Sequence, residues 1–301
     1  MTENNSNLCG IIPVYKEKDW TSFDVIGKLR GILHIKRLGH GGTLDPLATG
    51  VLPVFAGKAT KCCDIIPDRR KVYKAGFKFG VSTDTEDITG KILCENNTKI
   101  SRKQLEETIP LFVGNIMQIP PMYSAVKIGG KKLYELAREG KTVERTPREI
   151  TVNSIKILDF DENSQQGEMV IDCMKGTYVR TIISDMGKKL GTGGIMTSLE
   201  RTYSAGVEKS ECFTVEEIAK LWEKNKLEEI VIPTDRAFEV YQKITLDERI
   251  TALYKNGVKL YPKQTGVEIS HKIYRVYGYD GEFLGIGAFK EEFFRSVKNF
   301  Y

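Results

Sequence analysis

Lys71-Val72-Tyr73-Lys74-Ala75-Gly76-Phe77-Lys78-Phe79-Gly80-Val81 is the stretch that decides the fold. Tyr73, Ala75, Phe77, Phe79 and Val81 alternate with Lys74, Gly76, Lys78 and Gly80. Successive side chains of a strand point to opposite faces, so this segment predicts a strand with one buried face and one wet, basic face. A shorter, more apolar strand is read over Glu168–Met174, running into the turn Lys175-Gly176-Thr177. Val179, Ile182, Ile183, Met186 and Leu190 then recur at helical spacing, and Gly191 ends that helix. Three further helices announce their starts with a side-chain cap followed three residues later by an acid or amide. Thr21 with Asp24 precedes Val25, Ile26, Leu29 and Leu33. Ser101 with Gln104 precedes an inward face of Leu105, Ile109 and Phe112. Thr214 with Glu217 precedes Ile218, Leu221 and Trp222.

Strands and helices do not alternate in a regular βαβ rhythm. The pattern therefore predicts an α+β (mixed α/β) sheet domain rather than a doubly wound one. Near Asp235 the chain changes character. Short strands follow, including Ile273–Tyr279 and Glu282–Ala288 around the hairpin dipeptide Asp280-Gly281. This predicts a large domain over 1–240 and a small β-rich one over 241–301.

Composition narrows the class. The chain has 301 residues, 41% hydrophobic and 28% charged, with 10 prolines. That length supports a real core, and that composition excludes disordered, collagen-like and low-complexity chains. No apolar run reaches the ~18 residues of a membrane span. Met1–Asn7 is polar, without the cationic start and apolar stretch of a secretory signal, so a soluble, cytoplasmic protein is expected. Without such a signal the sequons Asn4-Asn5-Ser6 and Asn96-Asn97-Thr98 carry no meaning. Six scattered cysteines with no CxxC read as free thiols, and three separated histidines do not suggest a zinc site. The net charge of +5 permits a nucleic-acid partner without establishing one.

Four segments are candidates for chemistry, and each has an ordinary structural reading beside the functional one. Gly39-His40-Gly41-Gly42-Thr43-Leu44-Asp45-Pro46-Leu47-Ala48-Thr49-Gly50 is a glycine-rich loop. Pro46 holds Asp45 extended, which presents its carboxylate; alternatively Asp45 caps local amides in a turn. No Gly-Lys-Ser/Thr follows, which excludes a phosphate-binding P-loop. Lys175-Gly176-Thr177-Tyr178-Val179-Arg180 puts an arginine in a first helical turn, where it calls for an anion, either a functional partner or a surface ion pair. Arg69-Arg70-Lys71-Val72-Tyr73-Lys74 mixes cations with a tyrosine, as in RNA-binding strands, although Tyr73 lies on the apolar face and suits a core equally. Lys127, Lys131, Lys132, Arg138, Lys141, Arg145 and Arg148 crowd one excursion around 120–150. It either closes over a polyanion or is a solvated hairpin.

Together, in this order, these segments closely resemble the TruB family of tRNA pseudouridine synthases. The matching stretches are Gly39–Leu52, Lys71–Gly90, Gln118–Arg148, Lys175–Gly191 and Leu199-Glu200-Arg201-Thr202. Gly-Thr-Leu-Asp-Pro followed by Lys-Gly-Thr-Tyr-Val-Arg is the specific pair. The resemblance implies conversion of uridine to pseudouridine at position 55 in the T loop of tRNA, by a mixed, mainly antiparallel sheet domain with a C-terminal PUA-like RNA-binding domain. It implies Asp45 as the catalytic aspartate, Tyr73 as the active-site tyrosine, Arg180 as the aspartate's partner, and His40, Tyr178 and Leu199 as contacts of the substrate nucleotide. The basic excursion would be a thumb gripping T-loop phosphates. Guide-dependent relatives lack this insertion, so no guide RNA and no obligatory protein partner are expected. The reaction is a redox-neutral isomerisation, so no cofactor and no metal are expected either. The family's usual Lys-Pro-x-Gly-Trp-Thr-Ser reads here Lys16-Glu17-Lys18-Asp19-Trp20-Thr21-Ser22. Two other readings fit single segments: a non-catalytic RNA-binding or tRNA-folding module, and an acid–base hydrolase using Asp84, Glu86 and Asp87.

Overall fold

The structure is a computed structural model that describes Leu8–Tyr301. Met1–Asn7, and with it the Asn4-Asn5-Ser6 sequon, lies outside the described residues. The chain divides into two compact units. One comprises 1–46, 51–68 and 204–301, the other 47–50 and 69–203.

The second unit carries the strand with the alternating basic face. It spans Arg70–Phe79, and Tyr73, Ala75, Phe77 and Phe79 are all buried. The strand stops two residues earlier than the alternation does. Gly80 adopts a φ of +88°, which a side chain resists, and Val81–Thr83 begins a separate short strand paired with Ile92–Glu95. The sheet of this unit runs in the order 194–204, 70–79, 166–174, 148–161, 114–118. Its last three pairings are antiparallel. At the other edge Thr49 and Gly50 pair in parallel with Glu200 and Arg201. Phe77 and Phe79 pack their rings on Phe160 of the 148–161 strand, two strands away in the same sheet, at centroid distances of 5.8 and 6.3 Å. The helix Val179–Lys189 follows the expected turn and ends at Leu190 and Gly191, as its spacing predicts. The helix opened by Ser101 has its reciprocal cap but runs only over Arg102–Thr108. Pro110 cannot donate to a continuing helix, so the chain tightens into a 3₁₀ turn over Ile109–Phe112 and Phe112 stays only half-buried.

In the first unit the strand Gly10–Lys16 lies beside Thr49–Ala56, and Leu38–His40 pairs antiparallel with residues 54–56. The capped helix Ser22–Leu33 buries Val25, Ile26, Leu29 and Leu33 against Ile12, Val14, Leu52, Val54 and Ile218. Ile218 belongs to the helix Val215–Glu223, whose Thr214–Glu217 capping box forms as read. A four-stranded sheet follows in the order 242–245, 273–277, 283–290, 293–299. Asp280 accepts the Glu282 amide within the expected hairpin. Ile286 of this sheet and Phe300, just past its last strand, share a core with Ile11, Val51, Phe55 and Phe238. All six cysteines are free thiols, and no helix of the described residues is long and apolar enough to cross a membrane.

Candidate active site

In the first unit the loop that carries Asp45 is tied down from both sides. Leu44 is buried, and its amide donates to the Ser22 hydroxyl, which in turn donates to the Leu44 carbonyl, at 2.9 and 3.2 Å. The Pro46 carbonyl accepts from the Asp19 amide at 2.9 Å and from the Lys16 ammonium. Lys16 is completely buried and donates also to the carbonyls of Glu17 and Trp20. Asp19 stands where the family pattern has glycine, and its φ is +68°. The turn is thus kept by a residue that tolerates the left-handed region better than most. Asp45, between these ties, is half-buried, as is His40 at the end of the 38–40 strand.

In the second unit Tyr73 and Leu199 lie on neighbouring strands. Those strands are laced by Gly76 N–H to the Ser198 hydroxyl and by the Thr202 hydroxyl to the Val72 carbonyl. Tyr73 is buried and Leu199 half-buried. Tyr178 is the residue before the 179–189 helix. Its amide donates to the Gln118 side chain at 2.9 Å, and the Gln118 amide donates back to the Tyr178 carbonyl at 3.0 Å. The helix start is therefore fixed to the end of the 114–118 strand.

Arg180 is 5% exposed, so it is not the surface arginine that one reading of its segment allowed. Its guanidinium donates to the Tyr123 carbonyl and lies 5.9 Å from the Tyr178 ring. It faces Asp87 Oδ2 at 3.8 Å. Asp87 is equally buried, and its Oδ1 accepts the Thr85 hydroxyl, the Thr89 hydroxyl and the Thr89 amide. Next to it Glu86 accepts the Thr181 hydroxyl. Burial pushes the Glu86 carboxyl above its ordinary pKa despite that bond. A buried cation needs such anionic and carbonyl partners to be tolerated.

The hydrolase reading needs Asp84, Glu86 and Asp87 to act together, but each carboxylate is engaged by a different partner. Asp84 caps the Lys91 amide on the exposed side. Asp87 holds Arg180, and Gln118 was not singled out at all. The available signal was the spacing Thr85-Glu86-Asp87-Ile88-Thr89, a hydroxyl two residues to either side of an aspartate.

The basic excursion folds as a short hairpin of Lys127–Ile128 with Lys131–Lys132, followed by the helix Leu133–Arg138. Tyr134 lies between the Lys132 ammonium and the Arg138 guanidinium, each 5.3 Å from its ring. Lys131 and Lys141 share Glu139. Arg145 donates to the Pro120 carbonyl and closes the base of the excursion. Lys127, Arg138 and Arg148 are exposed, and Arg148 pairs with Gln118 across the sheet.

This architecture has solved counterparts. A Cbf5-Nop10-Gar1 complex matches with a TM-score of 0.74, at 22% identity, over 97% of this chain and 85% of that one. An archaeal box H/ACA Nop10-Cbf5 complex matches at 0.72 and 21%, over 97% and 86%. The fold is thus shared with Cbf5. At the level of sequence, the model of the TruB family pseudouridylate synthase N-terminal domain matches residues 30–179. That of the tRNA pseudouridylate synthase B C-terminal domain matches 180–239. Proteins named tRNA pseudouridine synthase B match from Clostridium perfringens, 41% identical over 96% of this chain and 98% of the relative, and Clostridium tetani, 42% over 96% and 98%. One from Lactococcus lactis is 44% identical over 80% and 76%. The chain belongs to the TruB family of pseudouridylate synthases.

Proposed function

We propose that this protein converts uridine to pseudouridine at position 55 in the T loop of tRNA, acting alone in the cytoplasm without guide RNA, partner protein, metal or cofactor. The observation that carries the reading is the buried Arg180, held by Asp87 and the Tyr123 carbonyl at the head of a helix, in a chain whose motif-matched catalytic positions are intact. A buried guanidinium set into such a frame is built to act on a negative charge.

The reaction breaks the N1–C1′ bond, turns the uracil, joins C5 to C1′ and moves the C5 proton to solvent while N1 gains one. No electrons are exchanged, so nothing in the balance calls for a redox partner. Asp45 is the catalytic carboxylate, either attacking C1′ or taking a neighbouring sugar proton. Arg180 is the basic partner that the family resemblance gives this carboxylate. The target base leaves its stack to react, at a cost of a few kcal/mol that is smaller in a loop than in a duplex. His40 fills the vacated space, and Tyr178 and Leu199 contact the extruded nucleotide. Tyr73 stacks on the uracil, a contact worth ~1–3 kcal/mol, and its phenol serves removal of the C5 proton. Lys127, Lys131, Lys132, Arg138, Lys141, Arg145 and Arg148 form the thumb on the T-loop phosphates, and residues 241–301 form a PUA-like RNA-binding module beside the catalytic 1–240 region.

Tritium release from tRNA carrying 5-tritiated uridine tests this reading, with EDTA and without ATP. Wild type should release tritium, whereas Asp45→Asn should bind tRNA and release none. Tight tRNA binding by both without release from either would leave a binding module as the better account.

A further inference from the structure

The 70–79 strand holds a cation that the roles above leave unused. Lys71 precedes Tyr73 by two residues, so both side chains stand on one face of the strand about 7 Å apart. Cys173 lies directly opposite Lys71 in the antiparallel pair with 166–174, and that thiol is buried. Lys71 is half-buried, and among the described residues no hydrogen bond or ion pair engages its ammonium. Its charged neighbours are cations: Arg201 on the adjacent 194–204 strand, fully buried, and Lys175 just past Cys173. The Lys175 amide donates to the Arg69 carbonyl at 2.9 Å, which fixes this end of the pair. Arg201, near Tyr73, and Lys175, beside Arg69, thus flank Lys71 along this end of the sheet, and Asp172 is engaged elsewhere by Arg70 and Asn153.

Folding gains nothing from a lysine placed this way. Burial, together with the charges of Arg201 and Lys175, lowers its pKa from 10.5 to about 8. An anion arriving from outside would reverse that penalty. Tyr73 is the residue on which the proposed function stacks the target base, and one nucleotide links a base to a phosphate over a comparable span. We propose that Lys71, supported by Arg201 and Lys175, binds the backbone phosphate adjoining the target uridine. The inference rests on the function proposed above and makes Lys71 a substrate-positioning residue, not a proton carrier.

The test uses the full-length protein and three T stem-loop RNAs: unmodified, and with a single neutral methylphosphonate 5′ or 3′ to the target uridine. Dissociation constants are measured by filter binding for wild type, Lys71→Met, Lys71→Arg and, as a control on an exposed strand position, Lys156→Met. Lys71→Met should bind the unmodified RNA about 10-fold more weakly, the worth of one charge-assisted contact. One methylphosphonate should weaken wild type by the same factor and leave Lys71→Met no weaker than before. Lys71→Arg should retain most of the affinity, and Lys156→Met all of it. If Lys71→Met loses the same factor on all three RNAs, or loses nothing, the proposal falls. Should Lys71→Met fail to fold, wild type and Lys71→Arg still decide. The wild-type preference for phosphodiester should fade above about pH 8, where Lys71 discharges, while that of Lys71→Arg persists. A preference that is absent, or equally persistent in both, overturns the inference. Pseudouridine formation by wild type on the unmodified RNA is scored in parallel: its absence overturns the proposed function, its presence confines a negative result to Lys71.

Discussion

Asp87 holds Arg180 in a way that its carboxylate charge alone can supply. One oxygen is saturated by three donors from Thr85 and Thr89, so the other is fixed in direction toward the guanidinium. Asp87→Asn keeps the volume and removes the charge that faces the buried Arg180 guanidinium at 3.8 Å. Breaking a buried pair from one side is costly, about 3–5 kcal/mol. We expect a drop of about 100-fold in single-turnover rate and a lower melting temperature, with tRNA affinity within about 2-fold of wild type. Asp84→Asn, on the exposed side of the same turn, should do neither. Arg180 was legible as an arginine that needs an anion, because its position in a first helical turn is set by local sequence. Its burial was not, because that depends on Tyr123 and Asp87, which reach it only through the fold.

Local rules govern the elements. All three capping boxes form where Thr21, Ser101 and Thr214 place them, since a cap is satisfied within four residues. The departures are local as well: Gly80 breaks the 70–79 strand, and Pro110 turns the end of a helix into 3₁₀. The tie between Gln118 and Tyr178 is of another kind. It joins the last residue of one strand to the residue before a helix that is distant in sequence, so neither segment announces it. Gln118→Ala strands the Tyr178 amide at that junction and leaves its carbonyl with the Ile182 amide alone. Urea unfolding should register a loss of about 1–3 kcal/mol. Turnover should fall more than RNA affinity, because the helix start positions Tyr178 and Arg180.

At the scale of the molecule, neither unit is one contiguous stretch. The chain passes from the first to the second after Pro46, returns after Gly50, and repeats the exchange at 68–69 and 203–204. Gly50 is the tightest of these passages. Its φ is +102°, and a Cβ there would sit 2.2 Å from the Arg201 carbonyl oxygen. Gly50→Ala combines backbone strain with a backbone clash that no rotamer relieves, so a loss of about 3 kcal/mol or more is expected in thermal unfolding. The composition change near Asp235 marks where the four-stranded sheet begins. It does not reveal that Ile286 and Phe300 pack with Ile11, Val51 and Phe55.

The sequence by itself determined the strand and helix types, the helix starts, the mixed α+β class and the loop and junction that carry Asp45 and Arg180. Each of these depends on periodicity, on turn chemistry or on caps that act over a few residues, together with motifs specific to one family. Only the tertiary structure decided that Arg180 is buried against Asp87, that Gln118 fixes the start of the 179–189 helix, that Asp19 keeps the turn its family builds with glycine, and that Lys71 stands among cations beside Tyr73. Those facts come from segments far apart in the chain meeting in one place, where burial and charge depend on neighbours that no local pattern encodes.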